Sequence, residues 1–235
     1  MGGHSGLGYV LAQEFALAKS TVAIVSEMPE VHEAAIALGE ECGVSVGSHL
    51  CDITDRDAVV RLADEVGEVD VLVNNAALTV MTPLDDHSAQ AATNFGRTLA
   101  TNVAGLYWVA QELSRSMPNG GRIMFTSSFW GKTAGAGYSA YVASKHAVIG
   151  LVRTLAIELG PRGISVNAVC PHSIATEKSL TAPKEAIDRA TLHMVLRPGL
   201  IPPCDIAGIY LFLASPAASE ITGQALSVDR GAALF

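Results

Sequence analysis

The sequence predicts an α/β protein, a doubly wound parallel sheet with helices on both faces, formed as a single domain by residues 1–235. Short β-branched runs alternate with longer helical stretches along the chain, the pattern of parallel strands joined by crossover helices. Runs such as VDVLV at 69–73 are nearly continuously apolar, as expected for strands buried on both faces. The content of 49% hydrophobic and 16% charged residues fits the same two-sided burial.

The predicted elements follow one another in alternation. Strands are expected at Thr21–Val25, Val44–His49, Val69–Val73, Arg122–Thr126, Ile164–Val169 and Ala225–Val228. Helices are expected at Leu7–Leu17, Pro29–Glu41, Asp55–Val66, Leu99–Met117, Ala140–Leu159 and Asp205–Leu213. Residues 175–203, with four prolines, form an excursion before the last helix. Loops beyond the strands' carboxyl ends line the ligand crevice of such sheets, so this excursion is either a substrate lid or a plain surface loop.

Composition narrows the classes of partner. The net charge of −8 and the scattered basic residues argue against nucleic acid. No apolar run reaches the length of a membrane span, and the start MGGHSGLG lacks the features of a signal peptide. We therefore expect a cytoplasmic protein with no membrane partner and no metal. The cysteines show no paired spacing, which indicates free thiols in a reducing compartment: Cys42, Cys51, Cys170 and Cys204.

Tyr141, Lys145 and Ser128 carry the strongest chemical signal. The stretch SSFWGKTAGAGYSAYVASK brings a hydroxyl, a phenol and an ammonium close together. Tyr141 and Lys145 are four residues apart on a predicted helix and share one face. A neighbouring cation lowers the pKa of a phenol, which suits the proton transfers of carbonyl–alcohol chemistry. Alone, the pair is weak evidence, and its default interpretation is two solvated helix residues.

GGHSGLG at residues 2–8 has the form of a glycine turn that leaves a strand and opens a helix. Gly2 allows the tight turn, Gly6 allows close approach of a pyrophosphate, and Gly8 allows the helix to pack on the sheet. The helix amino terminus would then offer N–H groups to phosphates. Only Met1 precedes the turn, so the strand that should come first is missing.

Together these fragments resemble the short-chain dehydrogenase/reductase family along essentially the whole chain. The glycine turn is followed in order by CDI at 51–53, NNAA at 74–77, TNVAG with Asn102, Ser128, YVASK at 141–145, VNAVCP at 166–171 and ITGQALSVDRG at 221–231. The resemblance implies a Rossmann-like three-layer α/β/α fold. It also implies an NAD(P)-dependent oxidoreductase that interconverts a secondary alcohol and a ketone by hydride transfer.

The resemblance assigns the catalytic roles. Tyr141 would be the general acid and base, and Lys145 would lower its pKa and bind the nicotinamide ribose. Ser128 would hydrogen-bond the reacting oxygen. Asn102 would hold, through its helix backbone, a water that links Lys145 to solvent. Ser128 could instead be a turn residue, and Asn102 a helix residue that bonds its own backbone.

The resemblance also assigns cofactor contacts along the dinucleotide. The glycine turn supplies Gly2, Ser5, Gly6, Leu7 and Gly8, and the remaining contacts are Ser26, Glu27, Asp52, Ile53, Asn75, Ala76, Ile174 and Thr176, with Tyr141 and Lys145 at the nicotinamide end. Asp52 would accept from the adenine amino group, or cap the helix that follows. Glu27 would favour NAD over NADP, because a carboxylate repels a 2′-phosphate. In the family the acid usually stands where this chain has Ser26.

The missing strand is the main departure from the family. That strand is central in the architecture, and its loss leaves two neighbours without a ladder partner. Three explanations compete: a misassigned start, a truncated chain, or a protein that tolerates the loss. The first two explanations are favoured. His172, where the family usually has glycine, is a smaller departure.

The substrate is expected to be a hydrophobic or cyclic alcohol or ketone. Phe129, Trp130, His172 and Leu78 fall at positions that should border it, although aromatic residues are more often core residues than pocket residues. A homo-oligomer, by resemblance a tetramer, is expected through the Tyr141 helix and its neighbour. The alternative function is a non-catalytic dinucleotide-binding or scaffold protein of the same fold.

Overall fold

A computed structural model of the chain describes residues 1–234, without the side chain at position 178. The strands are β1 Val22–Ser26, β2 Val46–Leu50, β3 Val71–Asn74, β4 Arg122–Thr126, β5 Ser165–Pro171 and β6 Ala225–Val228. The helices are α1 Gly6–Leu17, α2 Val31–Cys42, α3 Arg56–Val66, α4 Ala89–Leu99, α5 Leu106–Ser116, α6 Ser139–Leu159, α7 Glu177–Leu180, α8 Lys184–Thr191 and α9 Pro203–Ala214. The predicted α/β alternation is confirmed.

The strands form two parallel sheets. Strand β1 pairs with β2, and the second sheet has the order β3-β4-β5-β6. The register aligns Val22 with Val46 in the first sheet and Val71 with Arg122 in the second. Within residues 1–234 no strand lies between β1 and β3, so the doubly wound sheet is interrupted where the sequence lacks its first strand.

Helices cover both faces of the sheets, which confirms the three-layer arrangement. Strand β4 shows how the sequence achieves this, because its alternate side chains point to opposite layers. Ile123 and Phe125 pack into a core with α3, α5 and α6, whereas Met124 packs into a core with α1 and α9. A third cluster joins α1 and α2 to β1. Polar residues at the strands' carboxyl ends are therefore collected at one edge.

One helix of the described chain, Ser139–Arg162, is long and apolar enough to cross a membrane by length and composition. It contains α6, whose side chains Val148 and Val152 are fully buried in the core beside α5 and β4. This packing is that of an internal helix of the fold.

The prediction of one continuous helix over Leu99–Met117 is wrong. Helix α4 begins earlier, where the Ser88 hydroxyl accepts from the Ala91 N–H. It ends at Leu99 and passes into a π-helical segment, Ala100–Gly105, before α5. Wide turns of this kind are frequent at functional sites. The excursion at 175–203 likewise contains the short helices α7 and α8, and its role as a lid stays a prediction.

A second cleft, of about 580 Å³, occupies the space between β1 and β3. Met1–Gly3 closes one end of it. The Met1 amino group donates to the Val73 carbonyl oxygen at 2.8 Å, and the Gly2 N–H donates to the Val25 carbonyl oxygen at 2.8 Å. Met1 and the first glycine of the turn therefore bridge the two sheets. Burial lowers the pKa of the Met1 amino group from 8.0 to about 6.

Candidate active site

The glycine turn leads directly into α1, and its backbone explains its composition. Gly2 (φ +69°) and Gly6 (φ +55°) adopt the left-handed conformation that other residues rarely adopt. A Cβ atom on Gly8 would lie 1.9 Å from the Gly2 carbonyl oxygen. The side chain of Ser5 makes no capping bond to α1 among the described residues. The first N–H groups of α1 therefore present a positive dipole end that suits a phosphate.

The carboxyl ends of β1, β2 and β3 open into one cleft of about 400 Å³. Eight residues predicted to bind a dinucleotide line this cleft: Gly2, Ser5, Ser26, Glu27, Asp52, Ile53, Asn75 and Ala76. The bare turn and the helix terminus beside it fit the phosphates of such a ligand. The remaining turn residues, Gly6, Leu7 and Gly8, form the first turn of α1.

Ile174 and Thr176, predicted at the nicotinamide end, lie in the segment that faces the turn. A Cβ atom on Gly6 would lie 3.4 Å from Thr176 Cγ2, so this segment closes over α1. The Thr176 hydroxyl caps α7 by accepting from the Ser179 N–H at 3.4 Å. Ile174 forms an isolated parallel bridge with Ile201. The fold brings both residues to the turn, and their contact with a carboxamide stays a prediction.

His4 and Arg97 also line the cleft, and sequence reasoning missed both. The Ser26 hydroxyl lies 2.8 Å from His4 Nδ1 and accepts from the Met28 N–H at 3.1 Å. His4 stands inside the glycine turn, which was a signal that could have been used. Arg97 arrives from α4, far from β1 in sequence, and no local motif indicates it. Arg97 therefore places a positive charge in the cleft, although no arginine lies near β1 in the sequence.

Asp52 does not cap α3. Its Oδ1 atom accepts from the Thr54 N–H at 2.8 Å and from the Thr54 hydroxyl at 2.7 Å, which closes the turn after β2. The cap is Asp55, whose side chain accepts from the N–H groups of Asp57 and Ala58. Asp52 therefore stays at the wall of the cleft, as its predicted adenine contact requires.

Tyr141 is hydrogen-bonded to the hydroxyl groups of Ser128 and Thr79. Burial raises the pKa of the phenol above its usual value, and these two hydrogen bonds act in the opposite direction. The sequence prediction of a lowered pKa is therefore wrong, because desolvation outweighs the stabilising groups. No sequence motif indicates Thr79, since it lies outside every fragment that resembles the family. It follows Leu78, which lines the cleft, so one loop connects the cleft to the phenol.

Lys145 is 1% exposed and lies one helical turn after Tyr141, as predicted. Its Nζ atom donates to the Thr126 carbonyl oxygen at 2.8 Å and lies 5.5 Å from the centroid of the Tyr141 ring. Burial lowers the pKa of this ammonium to about 8. The carbonyl at the end of β4 therefore fixes the ammonium beside the phenol.

Asn102 lies in the π-helical segment and is fully buried. Its side chain holds the loop before Thr79, accepting from the Leu78 N–H at 2.7 Å and donating to the Leu78 carbonyl oxygen at 2.9 Å. It also donates to the Ser144 hydroxyl at 3.0 Å, and Ser144 donates to the Tyr141 carbonyl oxygen at 2.7 Å. The contacts shown thus run through the amide side chain, whereas the predicted water on its backbone stays a prediction.

Of the aromatic residues predicted to border the substrate, Trp130 contacts Tyr141, whereas Phe129 and His172 contact each other. Trp130 contacts Tyr141 edge to face, with ring centroids 6.0 Å apart, and Phe129 packs on His172 at 4.1 Å. Burial lowers the pKa of His172, so its neutral form is favoured. Trp130 follows Ser128, whose hydroxyl accepts from the Trp130 N–H at 3.1 Å. The Trp130 ring and the Ser128 hydroxyl are therefore positioned by one turn.

Known proteins share this architecture over the whole chain. A family model described as Enoyl-(Acyl carrier protein) reductase matches residues 2–233. The chain is 33% identical to the Escherichia coli cyclic-di-GMP-binding biofilm dispersal mediator protein, covering 97% of this chain and 93% of the relative. It is 34% identical to the 3-oxoacyl-[acyl-carrier-protein] reductase MabA of Mycobacterium bovis, covering 98% and 90%.

A solved structure agrees closely as well. The short-chain dehydrogenase from Burkholderia cenocepacia in complex with NADP superimposes with a TM-score of 0.88 and 32% identity, covering 98% of this chain and 95% of that one. The match covers the glycine turn and the segment of Tyr141 and Lys145, since the family model extends over residues 2–233. The chain therefore belongs to the short-chain dehydrogenase/reductase family.

Proposed function

We propose that the protein is an NAD(P)-dependent oxidoreductase that interconverts a secondary alcohol and a ketone, with Tyr141 as general acid and base. The observation that carries this proposal is the phenol held between two hydroxyl groups beside the buried ammonium of Lys145. The loop through Leu78 joins this centre to the dinucleotide cleft. Membership of a family of reductases and dehydrogenases supports it.

In the proposed reaction, Tyr141, Ser128, Lys145 and Thr79 have separate roles. A nicotinamide cofactor, when bound, would supply or accept the hydride. In reduction, Tyr141 gives its phenolic proton to the carbonyl oxygen as the carbon receives the hydride, so that ketone, hydride and proton become the alcohol. Ser128 donates to the same oxygen and stabilises the charge that develops there. Lys145 and Thr79 stabilise the phenolate that remains, until a proton from solvent restores the phenol.

The test replaces Tyr141 by phenylalanine, which keeps the ring and removes the proton. We expect kcat to fall about 10²- to 10⁴-fold on every active substrate, as is usual for loss of a general acid. Turnover is followed by NADH and NADPH absorbance over a panel of hydrophobic and cyclic ketones and alcohols. Tyr138→Phe is the matched control, because Tyr138 also packs on Trp130, with centroids 5.0 Å apart, without a place in the mechanism. Equal activity of Tyr141→Phe and wild type would refute the assignment.

For the cofactor we propose NAD. Glu27 lines the cleft after β1 and would repel a 2′-phosphate, although Arg97 lines the same cleft and the Burkholderia relative holds NADP. We expect Glu27→Gln to lower KM for NADPH and raise KM for NADH, each about threefold to tenfold. The exposed Glu30, which does not line the cleft, gives the matched control Glu30→Gln. A wild type that already prefers NADPH would contradict the proposal.

The second candidate is a dinucleotide-binding protein without turnover. The similarity to a protein named for binding cyclic-di-GMP favours it. Fluorescence of NADH separates the two: binding that enhances NADH fluorescence, without turnover on any substrate of the panel, supports the second candidate. Displacement of NADH by cyclic-di-GMP in the same titration would support it further.

We also propose a cytoplasmic location. The free thiols, of which Cys51 and Cys170 are buried, support a reducing compartment. Cell fractionation with an antibody to the protein checks this, and recovery in a membrane or secreted fraction would contradict it.

A further inference from the structure

Helix α6, which carries Tyr141 and Lys145, begins without a cap of its own. Tyr138 stands at the capping position, and its side chain makes no capping hydrogen bond among the described residues. The first N–H groups of a helix have no partner within the helix, so a buried one needs a partner from elsewhere. Thr82 supplies it: its Oγ1 atom accepts from the buried Ala140 N–H at 3.0 Å, from 58 residues away along the chain. This N–H lies directly before Tyr141.

Thr82 is itself fixed against the start of α6. Its N–H donates to the Gly137 carbonyl oxygen at 2.8 Å, and Thr82 forms an isolated parallel bridge with Tyr138. A Cβ atom on Gly137 would lie 3.4 Å from Met81 Cε, so the residue before Thr82 also packs on this turn. Thr82 is 5% exposed, which keeps water from replacing its hydroxyl. The Thr82 hydroxyl is therefore held in one place at the helix start.

The loop from Leu78 to Thr82 holds Tyr141 at two points. The Thr79 hydroxyl is hydrogen-bonded to the phenol, and Thr82 binds the backbone N–H of the residue before it. The Asn102 side chain fixes the other end of the loop at Leu78. A shift of the helix start would therefore move the phenol relative to Thr79. Reaction rates depend strongly on such distances, since a displacement of about 1 Å can cost about 10²-fold.

We propose that Thr82 is a positioning residue for the reaction. Its hydroxyl sets the start of α6, so that the Tyr141 phenol stays at the distance from Thr79 and from the substrate oxygen that proton transfer requires. Thr82 acts through Ala140 and transfers no proton itself. The inference rests on the proposed function, because that function assigns the proton transfer to Tyr141. It predicts an effect on the rate of turnover rather than on the binding of substrate or cofactor.

The first test replaces Thr82 by valine, which keeps the shape of the side chain and removes the acceptor. We expect kcat to fall about tenfold or more, with KM for substrate and cofactor changed less than about twofold. Thr82→Ser keeps the hydroxyl and should keep kcat. Thr222→Val is the matched control with unchanged kcat, because the Thr222 hydroxyl likewise accepts from a backbone N–H at 3.0 Å, that of Val166 near the amino end of β5. Equal kcat in Thr82→Val and wild type would overturn the inference.

A double substitution separates positioning of the phenol from a general loss of structure. In the Tyr141→Phe background the phenolic proton is gone, so adding Thr82→Val should lower the residual kcat by less than about twofold. A loss of about tenfold that persists in this background would indicate a merely structural role and refute the positioning. If Tyr141→Phe alone equals wild type, the proposed function fails. A loss in Tyr141→Phe without a loss in Thr82→Val contradicts the inference alone.

Amide hydrogen exchange in the protein without cofactor gives a readout that is independent of turnover. Exchange at Ala140 should be about tenfold or more faster in Thr82→Val than in wild type and Thr82→Ser, whereas Thr222→Val should leave it unchanged. Where Thr82→Val does not fold, Thr82→Ala makes the same comparisons. Unchanged exchange at Ala140 would show that this hydrogen bond does not hold the start of α6, and the inference would then be wrong.

Discussion

The phenol of Tyr141 is governed by opposing influences. Burial raises its pKa, whereas the hydrogen bonds from Ser128 and Thr79 lower it. A phenol that stays protonated at neutral pH is a competent donor for ketone reduction, and the hydroxyls limit the cost of the phenolate that remains. The two directions of the reaction should therefore depend differently on pH, with alcohol oxidation favoured where the phenolate is populated.

Thr79→Val tests this balance at a single residue. Loss of the hydrogen bond destabilises the phenolate, so the rise of kcat for alcohol oxidation with pH should move upward by about one pH unit. The measurement is the pH profile of kcat at saturating cofactor and substrate. Thr79→Ser keeps the hydroxyl and should keep the wild-type profile. An unshifted profile in Thr79→Val would show that Thr79 has no electrostatic effect on Tyr141.

Residues within local motifs could be predicted from the sequence, and residues brought in by folding could not. Tyr141 and Lys145 share a helix face by spacing alone, and the structure places them together. Thr79 and Arg97 reach the site from a loop and a helix far from the motifs they join. The sign of the Tyr141 pKa shift was also beyond sequence reasoning, because desolvation depends on everything that covers the ring.

At the scale of elements, the boundaries of helices and strands were predicted to within two residues where the residues that end the element are its neighbours in sequence. Strand β4 coincides with its prediction at Arg122–Thr126. The exception is the region of Asn102, where a buried amide bonds the Leu78 loop and the helix widens into a π segment. Hydrophobic periodicity cannot reveal such a turn, because its cause is a tertiary hydrogen bond.

The segment Met1–Gly3, which bridges β1 and β3, predicts a pH-dependent stability. The folded state lowers the pKa of the amino group from 8.0 to about 6, so it binds fewer protons than the unfolded state between these values. The free energy of unfolding should therefore rise by about 2 kcal/mol as pH increases from 6 to 8, with the full penalty present below 6.

Urea denaturation at several pH values measures this dependence. The acetylated amino terminus is the control, because it keeps an N–H donor for Val73 and loses the titrating charge. The difference between free and acetylated chains should vanish above pH 8 and grow as pH falls to 6. A difference that does not vary with pH would contradict the burial of this group.

At the scale of the whole molecule, the three layers and the parallel direction of the strands could be predicted. Both follow from the alternation of strand-like and helix-like hydrophobic patterns along the chain. The division into two sheets, with no described strand between β1 and β3, is seen only in the structure. The association of copies stays a proposal. Helices α4 and α6 pack against each other, and the exposed face of this pair includes one large apolar side chain from each helix, Phe95 at 41% and Ile157 at 79% exposure.

We expect a homotetramer that uses this face, and Ile157→Glu should reduce the particle mass. Light scattering after size-exclusion chromatography measures it at several concentrations. Ile36→Glu is the control, because Ile36 on α2 is 64% exposed and lies away from this face. A wild type that elutes as a monomer at all concentrations, or equal effects of both substitutions, would count against the arrangement.

Because the strands form two separate sheets, a bound dinucleotide would also stabilise the fold. The nucleotide cleft is lined by Ser26 from one sheet and by Asn75 from the other. A bound ligand would therefore contact both sheets and hold them together as one cooperative unit. A ligand that binds better when the two sheets are held together stabilises that arrangement. Its binding should therefore slow amide hydrogen exchange in β2, the strand farthest from the second sheet. Without cofactor, the two-stranded sheet of β1 and β2 should open before the rest of the protein. Amide hydrogen exchange at Gly47, measured with and without NADH, tests this expectation.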